Sequence, residues 1–408
     1  MFSSINTDDN YRSYPFIVLL LIGLYLCEGM FGLLPTTRVL FPVYFLFFLS
    51  GYQNDTPFSK PLLLLMVSMV LSMFSCMIFH DQNLISSFGS NVTYAAIAVF
   101  FVLRKLNINP NTIERVLFWM FVIFCACYIY QIMVLPKLVF LSSDKFVNYN
   151  LPIFLRRIRL PGMSLVGLGA LFSLNQILVG QRKYIFSFVL ALIVILLFGF
   201  RTLLAFIAIF SFVMLIRIYG FSYKILLSFV FLCIVAWGFS VTEFGQQIFG
   251  AMMERQDDNQ TFGNKDYIRY TTLFYYYGQH YQNLLEMFLG SGLPERGTGS
   301  IYEAYYIKLE SCGIHYFDWG LLGISWMMGM LSLVAMIWYP IRAFLTRMPN
   351  DKLYLSVWFG YLFACAFTSA EFVRQGCFLI QGIALYLITI YSNQYSSLLS
   401  NKKGQFDL

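Results

Sequence analysis

Charged residues are scarce in this chain. Only 12% of its 408 residues are charged, whereas 59% are hydrophobic and 19% are aromatic. The mean hydropathy of +0.69 lies far outside the range of water-soluble globular proteins. The composition therefore excludes a soluble protein and predicts an integral membrane protein.

Clusters of basic residues are also lacking, although the formal net charge is +7. Lys and Arg stand in ones and twos between apolar runs, whereas a nucleic-acid interface gathers them on one face. We therefore expect no nucleic-acid partner. The positive-inside rule of membrane proteins accounts for these charges better.

Patterns typical of metal sites are missing as well. Histidine occurs three times, neither CxxC nor HExxH is present, and the cysteines other than Cys312 lie inside apolar runs. The first predicted outward loop, residues 35–38, lacks the DxD or ExD pair that metal-dependent lipid-sugar transferases of the C-type fold usually carry there. We expect no bound metal and no cofactor.

Long apolar runs recur along the whole chain. An α-helix needs ~20 apolar residues to cross a hydrocarbon core of ~30 Å. On this length we predict an all-α polytopic membrane protein, a single integral domain over residues 1–408 with about twelve transmembrane helices. The predicted spans are residues 15–34, 39–52, 61–79, 90–104, 114–136, 160–179, 184–200, 202–219, 223–242, 314–339, 353–370 and 373–393.

The short loops indicate the orientation of these spans. With a cytoplasmic N-terminus, the short outside loops hold only Arg38, Arg201 and Arg374. The inside segments then hold Arg12, Lys60, Arg104, Lys105, Arg115, Arg182, Lys183, Arg217, Lys224, Arg342, Arg347, Lys352, Lys402 and Lys403. This asymmetry predicts an N-in, C-in protein. Two long loops, residues 137–159 and 243–313, then face outward.

The second outward loop contains a helical pattern. Aromatic and apolar residues recur at steps of three and four from Tyr267 to Phe288, with polar residues on another face. We predict one amphipathic helix at the membrane interface. A glycine-rich turn, residues 290–299, follows it, and its free backbone N–H groups are suited to holding an anion.

Arginines mark the outer ends of two predicted spans. Arg156, Arg157 and Arg159 precede the sixth span, where guanidinium groups suit either phosphate oxygens or lipid headgroups. Arg201 is the only charge between residues 184 and 216 and lies at a turn between two spans. Such a charge indicates a functional site or a side chain that snorkels to the interface.

The second loop supplies further candidates. Arg255, Arg269 and Arg296 lie there, with Arg269 on the amphipathic helix and Arg296 in the glycine-rich turn. Glu310 stands just before the next apolar run, with His315 at its mouth. A half-buried carboxylate in this position can act as a general base or simply pair with an arginine.

Several short motifs, taken in order, resemble the Wzy-type polymerases of oligosaccharide repeat units, within the wider group that includes O-antigen ligases. Arg159-Leu-Pro-Gly162 is similar to the R-x-x-G element of that family, and residues 198–204 are similar to its arginine-bearing turn. Arg269, the Gly-Ser-Gly at 290–292 and Glu310 with the G-x-x-G at 320–323 resemble the end of its second loop. The likeness covers residues 150–325 and the pattern of spans.

The resemblance implies a metal-independent glycosyltransferase that joins undecaprenyl-diphosphate-linked oligosaccharides at the outer face of the bacterial inner membrane. The product would be a surface polysaccharide such as lipopolysaccharide, capsule or exopolysaccharide. Membrane lipids would surround the protein, and a chain-length regulator and a flippase are partners that the resemblance admits. The residues implied are Arg159, Arg201, Arg269 and Glu310 for catalysis, and Arg156, Arg157, Arg255, Arg296 and His315 for substrate binding.

Two alternatives stay open. Ligases of this group usually place a histidine eleven residues before the first glycine of G-x-x-G, and that position is Leu309 here. A secondary transporter also suits twelve spans. However, transporters keep ionisable groups near the bilayer midplane, whereas the charges of this chain gather at the outer edge.

Overall fold

The computed structural model describes residues 37–140, 162–199, 201–223, 268–367, 370–374 and 376–406, with a few isolated residues outside these ranges. Its regular elements are helical, and no β-strand occurs in this described part of the chain. The predicted all-α class is therefore confirmed for these residues. The predicted spans 15–34 and 223–242 and most of the loop 137–159 lie outside them.

The helices follow one another closely along the chain. They are α1 (Thr37–Gly51), α2 (Ser59–His80), α3 (Leu84–Ala95), α4 (Val99–Leu106), α5 (Pro110–Met133), α6 (Ser164–Leu178), α7 (Ile185–Phe198), α8 (Arg201–Tyr219), α9 (Ile268–Gly278), α10 (Leu284–Leu289), α11 (Ile301–Ser311), α12 (Leu321–Met328), α13 (Met330–Leu345), α14 (Leu353–Cys365) and α15 (Cys377–Phe406). A single 3-10 turn, Ala96–Ala98, joins α3 to α4.

Four helices of the described part are long and apolar enough to cross a membrane. They are α2, the continuous α3–α4 helix, α5, and α8 from Thr202 to Tyr219. Shorter apolar helices are Phe41–Gly51, α6 and α13. These helices indicate a helical membrane protein, whereas the number of about twelve spans and the N-in, C-in orientation stay predictions.

Several helix ends meet around Glu114, at the start of α5. Lys352, just before α14, pairs with the Glu114 carboxylate, and the Tyr354 hydroxyl donates to it at 2.6 Å. At the end of α4, Arg104 pairs with Asp55 at 2.5 Å, and only three residues separate α4 from α5. We call this set of helix ends the Glu114 end.

The end of α2 and the start of the continuous α3–α4 helix, whose other ends lie near Asp55 and Arg104, meet around His80, the last residue of α2. His80 Nε2 lies 2.7 Å from Glu286 Oε1 in α10, and the Gln82 side chain donates to the Leu293 carbonyl at 2.9 Å. We call this set of helix ends the His80 end. The helices therefore run back and forth between two ends, as a polytopic membrane protein requires.

The predicted span 314–339 is wrong as a single helix. The structure has a 3-10 turn, Tyr316–Trp319, then α12, a break at Gly329 with φ +84°, and α13. A uniformly apolar run gives no sign of such a break. The break lies against the end of α10 and the first residue of the glycine-rich turn. A Cβ on Gly329 would lie 2.5 Å from the Leu289 carbonyl group, and a Cβ on Gly290 would lie 2.4 Å from the Gly329 nitrogen.

Three carbonyl groups just before the α12–α13 break accept hydrogen bonds from other parts of the chain. Ser68 donates to the Met328 carbonyl, and the N–H groups of Ser291 and Gly292 donate to the carbonyls of residues 326 and 327 at 3.1 and 2.8 Å. Ser68 lies near the middle of α2, so the break lies at the middle depth of a candidate span. Irregular backbone at this depth requires such partners within the protein.

The single amphipathic helix predicted from Tyr267 to Phe288 is also wrong, because α9 and α10 are separate. Asn283 begins α10 by accepting a hydrogen bond from the backbone N–H of Glu286 at 2.9 Å, and a capping side chain of this kind defines a helix start. The apolar period continues across the gap, which is why the sequence predicts one helix. The intervening His280 is buried.

Candidate functional site

Three of the predicted site residues meet at one carboxylate. Arg296 Nη2 donates to Glu310 Oε1 at 2.5 Å, and His315 Nδ1 lies 3.9 Å from the same oxygen. The side chain of Glu310 is 20% exposed, whereas those of Arg296 and His315 are 70% and 41% exposed. We call these three residues the Glu310 cluster. The carboxylate is thus ion-paired and still open to solvent on one side.

Local structure explains how these three residues meet. Ser300 accepts a hydrogen bond from the Glu303 N–H at 3.1 Å and so starts α11, which carries Glu310 in its last turn. Gly313, with φ +79°, then reverses the chain and brings His315 back towards Glu310. Arg296 arrives from the turn that precedes α11.

The glycine-rich turn holds an anion, but that anion is Glu303 of the same chain. The backbone N–H groups of Gly297, Thr298 and Gly299 donate to the Glu303 carboxylate at 2.5, 2.9 and 2.7 Å. These donors favour the charged form and hold the pKa of Glu303 below its usual range. The prediction that these N–H groups are free for another anion is therefore wrong.

Arg269 lies in the first turn of α9 and is half-buried. The Trp319 indole N–H donates to the Arg269 carbonyl at 2.9 Å, which fastens α9 to the 3-10 turn that follows His315. Arg269 therefore shares the region of the Glu310 cluster, although it is not one of its three members.

Arg201 is the first residue of α8. It follows the turn at Gly199, where φ is +65°, and the Tyr128 hydroxyl lies 3.4 Å from the carbonyl of Leu197 just before that turn. Tyr128 is near the end of α5 that points away from Glu114, so Arg201 begins α8 on that side. The Glu310 cluster lies at the His80 end, because Tyr302 of α11 stacks on His80 at 4.1 Å between ring centres. A cation at a helix N-terminus opposes the helix dipole unless an anion accompanies it.

Several predicted site residues cannot be compared with the structure. Only the backbone of Arg201 is described. Arg156, Arg157, Arg159 and Arg255 lie outside the described residues, so their proposed contacts stay predictions.

The sequence analysis missed a buried polar cluster next to the α12–α13 break. His280 Nε2 lies 2.9 Å from Ser291 Oγ, and His280 Nδ1 lies 3.1 Å from the Tyr275 hydroxyl. The rings of His280 and His80 stand 6.1 Å apart, and the Glu286 carboxylate beside His80 is fully buried. These residues tie α2, α10 and the turn after α9 together.

The geometry of Ser291 and His280 resembles a nucleophile with its base, but access argues against that role. Ser291 is fully buried, and its backbone N–H is bonded to Trp326. Burial and the neighbouring His80 lower the pKa of His280 to about 3, so its ring is neutral. A neutral ring can donate one hydrogen bond and accept another, which suits a structural tie.

One feature of the amino-acid sequence could have indicated this cluster. His280 and Asn283 are polar residues inside an otherwise aromatic pattern, and they mark the interruption between α9 and α10. The partner His80 lies 206 positions before Glu286 in the chain, and no local pattern connects the two.

No group of three or more His, Cys, Asp or Glu side chains in the described residues could hold a metal ion. No protein-family model matches the chain, and no curated protein matches it.

Proposed function

We propose that the chain is a polymerase that joins lipid-linked oligosaccharide repeat units at the outer face of the bacterial inner membrane. The observation that carries this proposal is the Glu310 cluster, which joins a carboxylate, a guanidinium and an imidazole at a partly exposed position. These are the groups needed to accept a proton from a sugar hydroxyl and to bind a diphosphate. The resemblance to Wzy-type polymerases supports the same reaction.

The reaction is a glycosyl transfer between two undecaprenyl-diphosphate carriers. The acceptor hydroxyl oxygen, at the non-reducing end of a new repeat, forms a bond to the anomeric carbon of the growing chain. The bond from that carbon to the diphosphate oxygen breaks, and undecaprenyl diphosphate leaves with the electron pair. Glu310 accepts the proton of the acceptor hydroxyl. Fixed guanidinium groups stabilise the charge on the leaving group, and this mechanism is metal-independent.

The ion pair between Arg296 and Glu310 indicates that the donor binds before Glu310 accepts the proton. Arg296 is largely exposed, so a diphosphate can compete with Glu310 for its guanidinium. Binding of the donor would then release the carboxylate to accept a proton. His315, 3.9 Å from Glu310, is positioned to bind the incoming substrate.

The remaining arginines complete the diphosphate site in this proposal. Arg201 supplies the charge at the start of α8, where the helix dipole also favours an anion. Arg269 lies beside the Glu310 cluster, and Arg159 is assigned from the resemblance. We assign these three residues to the diphosphate or the acceptor sugar, and Arg156, Arg157 and Arg255 to wider substrate binding.

The test is the glycan phenotype of a deletion strain. Deletion should collapse the ladder of surface polysaccharide to a single attached repeat, and the wild-type gene should restore the ladder. Glu310→Gln, which keeps the shape but cannot accept a proton, should fail to restore it at normal protein level. Glu295→Gln is the matched control outside the cluster. Loss of all attached glycan in the deletion strain would instead indicate a ligase.

A transporter is the second candidate, and the α12–α13 break is the observation that favours it. Discontinuous helices near the bilayer midplane form the substrate sites of many transporters. In this chain, however, the carbonyls at the break accept hydrogen bonds from Ser68, Ser291 and Gly292. Because the protein itself occupies these groups, we favour the polymerase. Repeat units trapped at the cytoplasmic face of the deletion strain would reverse this preference.

A further inference from the structure

We propose that residues 282–295 form a re-entrant segment, which enters the membrane at the His80 end, presents one face of α10 to the acyl chains of that leaflet, and returns to the same end. The amino-acid sequence predicts instead a helix that lies flat at the membrane interface. The re-entrant segment does not depend on the proposed function, because it is compatible with any reaction. In the predicted N-in, C-in orientation, the leaflet is the outer one.

The depth of the re-entrant segment can be measured along α2, one of the four helices long and apolar enough to cross a membrane. Its 22 residues make α2 ~33 Å long, close to the ~30 Å of a hydrocarbon core. Since α2 ends at His80, each earlier residue lies ~1.5 Å further into the membrane. Cys76 is therefore ~6 Å and Ser72 ~12 Å inside the level of His80.

Both ends of the re-entrant segment are hydrogen-bonded at the His80 end. At its start, the Gln282 side chain donates to the Phe79 carbonyl at 2.7 Å. At its finish, the backbone N–H of Glu295 donates to the Gln82 side chain at 3.0 Å. Arg296 is the next residue, so this member of the Glu310 cluster stands where the re-entrant segment leaves the membrane.

The middle of the re-entrant segment lies deeper than its ends. Gly292 packs so closely on α2 that a Cβ there would overlap the Cβ of Cys76 and lie 3.0 Å from the Ser72 carbonyl oxygen. Gly290 packs in the same way against the α12–α13 break, which lies at the middle depth of α2. Gly292 is therefore ~6–12 Å inside the level of His80. A helix lying flat at the interface would keep all its residues at one level.

The exposed side chains of α10 suit this depth. Leu284, Leu285 and Phe288 are 84%, 59% and 49% exposed, in a helix of six residues. On α2, Phe74 lies ~9 Å inside the level of His80 and is 44% exposed as well. Water would contact all of this apolar surface if the segment lay outside the membrane, which is unfavourable. At the depth of Phe74, one layer of acyl chains covers both helices.

The polar groups of the re-entrant segment have partners within the protein. Glu286 is the only charged residue from 282 to 294 and is fully buried. Its carboxylate lies 2.7 Å from His80 Nε2 and accepts a hydrogen bond from the backbone N–H of Gln282 at 2.6 Å. The N–H groups of Ser291 and Gly292 donate to carbonyls of α12. Charges and irregular backbone at membrane depth require such partners.

The experiment measures the depth of spin labels in the full-length protein. Leu284→Cys, Leu285→Cys and Phe288→Cys each carry a nitroxide, attached in detergent before the protein is reconstituted into phosphatidylcholine vesicles. Electron paramagnetic resonance then measures collisions of each label with oxygen, which is apolar and concentrates among acyl chains, and with a water-soluble nickel chelate. No lipid-linked sugar is present, so only the acyl chains of the vesicle can cover α10.

The controls use the same label and the same vesicles. All variants carry Cys312→Ser, which removes an exposed cysteine, and the Cys312→Ser protein alone gives the signal of the remaining cysteines. Phe74→Cys reports the apolar face of α2, and Lys308→Cys reports an exposed charged position on α11. Because the substituted residues on α10 are exposed, their variants should melt within a few degrees of the Cys312→Ser protein.

Labels at 285 and 288 should collide more with oxygen than with the nickel chelate, as the label at 74 does, whereas the label at 308 should show the reverse. Because α10 points into the membrane, the label at 288 should lie deeper than the label at 284, by up to ~6 Å for four helical residues. Equal depths at 284 and 288 would mean that α10 lies flat at the interface, and the proposal would be overturned.

Two further outcomes would also overturn the re-entrant segment. Nickel collisions at 285 and 288 as frequent as those at 308 would place α10 in water. Few collisions with either reagent would mean that a second copy of the chain covers this face. Either result leaves the proposed function untouched. Conversely, a deletion strain that keeps its polysaccharide ladder would contradict the polymerase, while oxygen-accessible labels of graded depth would still establish the re-entrant segment.

Discussion

At the scale of single residues, Arg201 offers the sharpest choice between a functional site and a lipid anchor. A residue that only reaches the headgroups needs a long stem and a positive end, and lysine provides both. Bidentate phosphate contact needs the planar guanidinium, which lysine lacks. Arg201→Lys should therefore reduce polymerisation by about tenfold or more, as expected from the loss of ~1–3 kcal/mol of charge-assisted contact.

The measurement for Arg201→Lys is the length of the glycan ladder at equal protein level in the membrane. Arg347→Lys is a matched control, because Arg347 is an exposed arginine in the linker after α13, at the Glu114 end. The control should give full-length ladders. If Arg201→Lys gives them as well, Arg201 is an anchor, and the diphosphate site would then rest on the loop arginines.

A second prediction at the residue scale concerns Glu303 and the pH dependence of stability. Its pKa is lowered by the N–H groups of residues 297–299, so the folded state favours the charged carboxylate. The stability it contributes is therefore fully present above its ordinary pKa of 4.5 and is lost as pH falls through the lowered value. The melting temperature should drop between pH 7 and pH 3.5, and Glu303→Gln should show a smaller drop. Equal drops in both proteins would contradict this role.

At the scale of elements, the α12–α13 break depends on glycines that meet backbone to backbone. A Cβ on Gly329 would lie 2.5 Å from the Leu289 carbonyl carbon, and its φ of +84° disfavours any other residue. Gly329→Ala should therefore destabilise the protein by about 1–3 kcal/mol. Thermal melting in detergent and protein level in the membrane would measure this loss.

Gly278 provides the control for that substitution. It ends α9, and a Cβ there would meet no atom within 4 Å. Gly278→Ala should leave the melting temperature close to that of the wild type. A Gly329→Ala protein that melts like the wild type would show that the contact between the break and the glycine-rich turn contributes little to stability.

The helices that the sequence predicts well are those defined by an apolar run with polar ends. The predicted span 61–79 is α2 (Ser59–His80), and the predicted span 114–136 is α5 (Pro110–Met133). The α12–α13 break could not be predicted, because the backbone that it contacts lies far earlier in the chain. Composition along α12 and α13 is equally apolar on both sides of Gly329.

The candidate site could also be predicted only in part, because some of its contacts depend on packing between distant residues. Glu310, Arg296 and His315 lie within twenty residues, and their charge and position beside an apolar run single them out. That Glu303 fills the glycine-rich turn was not foreseen, since a capping carboxylate and a surface carboxylate look alike in sequence. The pairing of His80 with Glu286 depends entirely on the packing of α2 against α10.

At the scale of the whole molecule, the two sets of helix ends make the orientation testable. Asn107 follows α4 and Asn350 accepts a hydrogen bond from Asn175 at 2.8 Å, so both belong to the Glu114 end. Reporters fused after Asn107 and after Asn350 must therefore agree with each other. Since Lys and Arg are concentrated in the loops of this end, both reporters should read as cytoplasmic.

Reporters fused after Asn148 and after Asn259, in the two long loops, should read as outside. The charge asymmetry of the short loops requires this, because long loops have little influence on orientation themselves. The proposed polymerase requires it too, since a diphosphate-linked repeat at the outer face could reach the Glu310 cluster only from that side. Cytoplasmic signals from both long loops, with outside signals after Asn107 and Asn350, would invert the molecule and remove the cluster from the outer face. Disagreement between Asn107 and Asn350 would instead contradict the arrangement of helices, whatever its orientation.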